Sequence, residues 1–238
     1  MKHIIGKIRR AVEDYDMIEE GDKIAIALSG GKDSITLLHG LKTLQYFYPK
    51  HFELIAISVN PGFDSFDEEF LKKVCNDVDV PLIVEKYDIK TVVFKDRKEK
   101  NPCSLCANLR RGILNTTAKR EGCNKLALGH NLDDVLETFL MNLFYAGNIS
   151  TFSPVSYMSK SNITCIRPLI FVEEKETKKY IKSHGISAMP KVCPMDGNST
   201  REDIKNMIFS LSLKLPFIRS NLIGAIQRGN ISGWKIKK

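Results

Sequence analysis

The stretch that most constrains this chain runs from residue 23 to residue 44, KIAIALSGGKDSITLLHGLKTL. A short apolar run at 24–28 stops at Ser29-Gly30-Gly31, and helical periodicity takes over near Asp33 and Ser34. That order of signals is a strand, a glycine turn and a helix. Two glycines allow backbone angles that other residues avoid and let a ligand approach the main chain. The helix start adds free amides and the positive end of a dipole, which together make an anion site. Ser29 and Ser34 bring hydroxyls and Lys32 brings charge, so a phosphate is the expected guest.

The loop fits neither G-x-G-x-x-G nor G-x-x-x-x-G-K-[ST]. Asp33 stands where the second pattern has Ser or Thr. A carboxylate beside bound phosphates is repulsive unless a divalent cation lies between them, which points to a nucleotide–Mg²⁺ site of another kind. A plain glycine turn with a polar helix cap is the competing reading.

Further strands are expected at 54–59 (LIAISV), 81–84, 125–128 and 163–167, alternating with helical segments. This pattern predicts an α/β, Rossmann-like fold, a five-stranded parallel sheet with helices on both faces. Ligands of such sheets sit beyond the carboxyl ends of the strands, which brings Ser58 near the glycine turn. The second strand stops at Asn60-Pro61-Gly62, and Asp64 or Ser65 is the expected cap of the helix that follows. A second strand–glycine–helix corner reads Gly129-His130-Asn131-Leu132-Asp133-Asp134. Neighbouring residues on a helix point about 100° apart, so one acid is expected to reach a metal or nucleotide while the other caps the helix.

The organisation is read as an amphipathic helix over 1–21, a main domain over 22–212 and a basic tail over 213–238. Lys and Arg number 36 against 28 acids, for a net charge of +8, which suits a nucleic-acid partner or an ordinary basic surface. No apolar run is long enough to span a membrane, and a cytoplasmic location is the expectation. Trp234 in the tail either stacks on a base or packs, with packing preferred.

Of six cysteines, Cys75, Cys123 and Cys165 fall in apolar elements and read as packing residues. Cys103 and Cys106 stand at chelating spacing before a basic helix carrying Arg110, Arg111, Lys119 and Arg120. Alone, that pair is a redox couple, half a zinc site or part of an iron–sulfur site.

SGGKDS with GHNLDD resembles the PP-loop ATP pyrophosphatase superfamily. The segment PCSLCANLRRGILN, the corner GHNLDDVLETFLMNLFYAGNI and Ile166-Arg167-Pro168-Leu169 are more similar still to the TtcA-like tRNA 2-thiocytidine synthetases, from about residue 18 to 207. The resemblance implies an ATP-dependent tRNA sulfurtransferase that adenylates the C2 oxygen of a cytidine, releases pyrophosphate and inserts sulfur. It implies that Ser29, Gly30, Gly31, Lys32, Asp33, Ser34, Ser58, Gly129, His130, Asp134 and Arg167 bind ATP and its Mg²⁺, with Asp33, Cys103, Cys106 and Asp133 in catalysis. It also implies a [4Fe–4S] cluster on Cys103, Cys106 and Cys193, with Cys193 standing where the family has a second CxxC. The implied partners are tRNA, ATP and a cysteine-desulfurase-type sulfur donor, with association as a homodimer and no membrane. Related readings are thiouridine and lysidine synthesis, or a non-catalytic ATP- or RNA-binding module. Lysidine synthesis has no use for the CxxC, and the archaeal and eukaryotic thiouridine type carries extra zinc-finger cysteines that this chain lacks.

Overall fold

The computed structural model describes residues 1–63, 65–93, 102–189 and 200–235, the side chain of Cys103 excepted. The elements run α1 (Lys2–Asp14), β1 (Asp22–Ala27), α2 (Lys32–Gln45), β2 (Phe52–Asn60), α3 (Glu68–Asn76), β3 (Leu82–Lys86), α4 (Ile89–Thr91) and α5 (Pro102–Arg120). They continue with β4 (Lys125–Ala127), α6 (Leu132–Tyr145), β5 (Val155–Met158), β6 (Ile163–Ile166), α7 (Glu174–Ser183), α8 (Thr200–Lys214) and α9 (Ile218–Arg228).

The sheet order is β3-β2-β1-β4-β6-β5. The first five strands of that order are parallel, and β5 joins β6 antiparallel, Val155 opposite Ile166. The expected five parallel strands are therefore present, and a sixth closes the edge. Residues 155–158 read as loop because VSYM is only four residues long and follows Ser153-Pro154. A two-strand hairpin edge supplies its hydrogen bonds without needing a buried apolar run.

The central strands alternate cleanly between two cores, as period-two side chains must. Ile24, Ile26, Leu54, Ala56 and Ile166 face one core, with α1, α2, α3 and α6–α9 supplying the opposing side chains. Ala25, Ile55, Ile57, Leu126 and Cys165 face the other, against Ala118 and Leu114 of α5. Helices thus cover both faces. Ile4, Ile5, Ile8 and Val12 of α1 are buried, and Gly40 of α2 lies so close to Ile8 that the Ile8 side chain fills the space of a Cβ. Beyond residue 213, Ile226 and Trp234 are fully buried in the same core, so Trp234 packs. The cap of α3 is Asp67, which accepts the Phe70 amide at 2.8 Å, and not Ser65; Asp64 lies outside the described residues. Among the described residues no helix is long and apolar enough to cross a membrane.

At the amino ends of β1 and β4, Lys125 and Asp22 form an ion pair at 2.7 Å with side chains 8% and 2% exposed. Asp22 also accepts from the Asn124 amide group at 2.6 Å and the Glu19 backbone amide at 2.7 Å. Breaking one side of such a pair strands a buried charge. Lys125→Met should lower stability by about 3–5 kcal/mol, and pairing it with Asp22→Asn should restore much of that loss. Urea midpoints of the single and double variants check this; equal midpoints for both would contradict it.

Candidate functional site

The strand order reverses direction between β1 and β4, so the crevice beyond their carboxyl ends is the natural ligand position of this sheet. The Leu28 amide donates to the Ile57 carbonyl at 2.9 Å, which carries the first loop along β2 next to Ser58. Gly30 then turns with φ +78, the left-handed region that glycine tolerates, and Gly31 is the N-cap of α2. The first-turn amides of Lys32, Asp33 and Ser34 have no intrahelical partner, and Gly31 offers no side chain to cap them, an arrangement that favours an anion. Ser34 Oγ donates to the Gly31 carbonyl at 2.9 Å and accepts from the Ser29 amide at 3.2 Å, with Ser29 Oγ 3.1 Å away. The two serines fasten the loop from within.

Lys32 Nζ lies 2.7 Å from Asp33 Oδ2 and 3.1 Å from Glu174 Oε1. Burial alone would lower its pKa, but the bonds to Asp33 and Glu174 prevail and raise it, so the ammonium stays charged. Asp33 Oδ1 accepts from the Thr177 hydroxyl at 2.7 Å. Glu174 is also paired with Lys205 at 3.0 Å and Lys178 at 3.1 Å. Burial would raise the Glu174 pKa; the hydrogen bonds from Lys205, Lys32 and Lys178 outweigh it and bring it down to about 2. Met189 completes the loop's surroundings, its amide bonded to the Gly30 carbonyl at 2.9 Å and its side chain against the Gly30 Cα.

The second corner is pressed onto the first. A Cβ built on Gly129 would lie 3.2 Å from the Ser34 amide nitrogen and 3.3 Å from the Asp33 carbonyl carbon. Asn131 and Asp134 form a reciprocal capping box at the start of α6. Asp134 Oδ1 also meets Arg201 at 3.1 Å. Asp133 Oδ2 accepts the Glu174 amide at 2.7 Å, and its Oδ1 pairs with Arg219. The capping acid is thus Asp134, and Asp133 is tied to α7 and α9. One turn on, Glu137 is 5% exposed and lies 3.8 Å from Arg201; burial, reinforced by Asp134, pushes its pKa up to about 7.

His130 and Arg167 both lie against one ring. The Phe152 centroid lies 5.0 Å from the His130 ring and 5.2 Å from the Arg167 guanidinium. Arg167 Nη1 donates to the Ser153 carbonyl at 2.6 Å and to Ser156 Oγ at 3.1 Å. Buried Arg167 Nε, His130 Nδ1, Ser58 Oγ and Asn115 Oδ1 have no hydrogen-bond partner among the described residues. Burial, with the charges of Arg167, Arg201 and Arg111, brings His130 down to about 4, so it is neutral at pH 7. Unpaired buried polar atoms are costly and mark places where a ligand or water completes the bonding.

Cys103 and Cys106 fall in the first turns of α5, where Cys106 packs with Leu109 and Ile113 against Val59 of β2, Ile89 and Val93. The Cys103 side chain and Cys193 lie outside the described residues. Cys75, Cys123 and Cys165 are buried, with burial pushing the first up to about 12 and the second up to about 11, which suits packing rather than reaction.

Glu174, Thr177, Arg201, Arg219, Phe152 and Met189 escaped the sequence reading. In α7, EKETKKYIKS looks like a solvated charged helix; only the i, i+3 pair Glu174–Thr177 hinted that its first turn has work to do.

A glycine-turned loop opening a helix, with an acid in its first turn and a second glycine corner pressed against it, defines a PP-loop nucleotide-binding domain. The sequence matches the PP-loop domain family over residues 1–211. The chain is 40% identical over 234 residues to the tRNA-cytidine(32) 2-sulfurtransferase of Syntrophotalea carbinolica, covering 97% of this chain and 88% of that one. It is 35% identical over 226 residues to the protein of the same name from Geotalea uraniireducens, covering 94% and 90%. Among solved structures it resembles the U34-tRNA thiolase NcsA from Methanococcus maripaludis with its [4Fe–4S] cluster, with a TM-score of 0.79, 26% identity, and 98% of this chain and 80% of that one covered. The chain belongs to the tRNA-cytidine(32) 2-sulfurtransferase family within the PP-loop domain proteins.

Two outcomes follow from this geometry. Gly129→Val should drive a side chain into the first turn of α2 and weaken ATP binding about tenfold or more at unchanged helical content, because backbone there has little room to give; calorimetric titration with ATP measures it, and wild-type affinity would contradict the contact. Glu137 titrates near 7 when folded against about 4.5 when unfolded, so folding loses stability as pH rises through that window and no more above it. Glu137→Gln should therefore gain stability over wild type at pH 8 more than at pH 5, as read from urea midpoints at both pH values.

Proposed function

We propose that this protein is an ATP-dependent tRNA sulfurtransferase acting on the C2 oxygen of a cytidine. The observation that carries the reading is Asp33 in the first turn of α2, between open amides and Lys32, in a chain with CxxC at the start of α5. ATP lies across the strand ends, with adenine near Ser58 and the phosphates on the amides of residues 30–34. Asp33 is the residue that would hold Mg²⁺. A single carboxylate together with phosphate oxygens and water suits that ion, and bound there it offsets the phosphate charge.

The cytidine C2 oxygen attacks the α-phosphorus and the bond to pyrophosphate breaks. The base then carries AMP on that oxygen. A sulfide equivalent adds at C2, and AMP leaves with the former carbonyl oxygen. Arg167 and neutral His130 orient the phosphate or the base through their unpaired nitrogens, and Lys32 holds the departing pyrophosphate. Catalysis is chiefly positioning and charge stabilisation. Cys103, Cys106 and Cys193 would hold a [4Fe–4S] cluster; the apolar setting of Cys106 suits one, and three thiolates leave an iron position for a sulfur ligand. A cysteine-desulfurase-type donor would supply the sulfur. The likeness to a U34-tRNA thiolase favours, as a second reading, the same chemistry on uridine.

Incubation of the anaerobically purified protein with tRNA, ATP and sulfide should yield AMP, pyrophosphate and 2-thiocytidine, read by nucleoside mass spectrometry. 2-Thiouridine instead would favour the second reading, and no tRNA-dependent AMP would overturn both. Asp33→Asn should lower AMP formation on the order of 100-fold while leaving the circular dichroism spectrum unchanged.

A further inference from the structure

The Phe152–Ser153 pair is held from two sides. On one side it contacts Arg167 and His130, as described. On the other lies the chain end. The Trp234 indole N–H donates to the Phe152 carbonyl at 3.0 Å, and Ser153 Oγ donates to the Ser232 carbonyl at 3.0 Å. Gly233, at φ +79, sits so tightly on Ser153 that the serine Oγ occupies the place of a Cβ. Trp234 is itself fixed. It is fully buried, its ring meets Tyr15 of α1 edge-on at 5.8 Å, and its carbonyl accepts from the Tyr15 hydroxyl at 3.5 Å. Gln227 of α9 donates to that same hydroxyl at 3.1 Å.

We infer that Trp234 is a positioning residue for the nucleotide site, its indole N–H holding Phe152 and Ser153 where they fix His130 and Arg167. A buried tryptophan could serve packing alone. Here the one polar atom of its side chain is spent on the carbonyl of the residue whose ring contacts both unpaired site groups. The following residue gives its carbonyl to Arg167 and its hydroxyl to the chain end. Two consecutive residues therefore transmit the position of the chain end to the site. The arrangement rests on the reading that His130 and Arg167 face the nucleotide.

The test compares Trp234→Phe, which keeps a buried aromatic ring but loses the N–H together with part of the indole volume, with Gln227→Leu, which loosens the far side of Trp234 without touching Phe152. Trp234→Phe should lower kcat for tRNA-dependent AMP formation about tenfold with little change in KM for ATP, since small misplacements of orienting groups cost rate. The His130 ring, followed by NMR, should titrate above its value of about 4 and toward the ordinary 6.5, because water reaches a loosened ring. The charges facing that ring are Arg167, Arg201, Arg111 and Asp33, none of them altered by the substitution. Gln227→Leu should move neither readout. Ser153→Ala, which keeps the carbonyl for Arg167, should shift both in the same direction by less. Equal losses of stability in Trp234→Phe and Gln227→Leu, with kcat and the His130 midpoint unmoved, would reduce Trp234 to a core filler and overturn the inference. If no RNA supports turnover in wild type, the proposed function fails while the His130 midpoint still decides this coupling.

Discussion

The contact on which the site depends is Gly129 against the first turn of α2. Two neighbouring parallel strands, β1 and β4, deliver their carboxyl-end corners to one place, and the absence of a Cβ at Gly129 lets the corners pack this closely. Everything else around the phosphate loop is attached to this junction. Asp133 receives the amide of Glu174 and the guanidinium of Arg219, Asp33 receives the hydroxyl of Thr177, and Asp134 receives Arg201. Three helices from the last third of the chain are thereby anchored to corners formed in its first two thirds.

The charge balance of this junction has a consequence. Lys32, Lys175, Lys178, Lys205, Arg201 and Arg219 meet Asp33, Asp133, Asp134, Glu137, Glu173 and Glu174. The loop lysine bonds two carboxylates, one of which, Glu174, it shares with Lys178 and Lys205. The open amides of α2 contribute only partial charge, roughly half an elementary charge in all. The positive character at the loop is therefore that of the α2 start together with this lysine.

What could be read from the sequence was local. SGGKDS after an apolar run dictates its own corner, because the turn needs Gly30 at positive φ and the helix begins at once. The alternation of LIAISV and helical segments dictates parallel strands. Tertiary partners were not legible. Nothing in GHNLDD says which acid caps, because the choice is made by Arg219 and the Glu174 amide, which lie 41 and more residues away. Ser29 and Ser34 suggested phosphate ligands by type, yet their hydroxyls bond each other once the loop is closed. The edge strand β5 is too short to show a period, and its ladder is satisfied by β6 alone. Asp67 caps α3 in place of the earlier Ser65, and since Asp and Ser cap about equally well, residue type did not choose between them.

The sheet separates two kinds of chemistry while keeping them adjacent. One face carries α2, α7, α8 and α9 and the ion pairs of the phosphate loop. The other carries α5, with Cys106 against Val59 of β2 and Arg110 and Arg111 one turn on. β2 bridges them, since the carbonyl of Ile57 fixes the start of the phosphate loop two residues before Val59 meets the cysteine helix. Neighbouring strands are only about 4.8 Å apart. The phosphate loop and the cysteine helix therefore meet adjoining stretches of one strand.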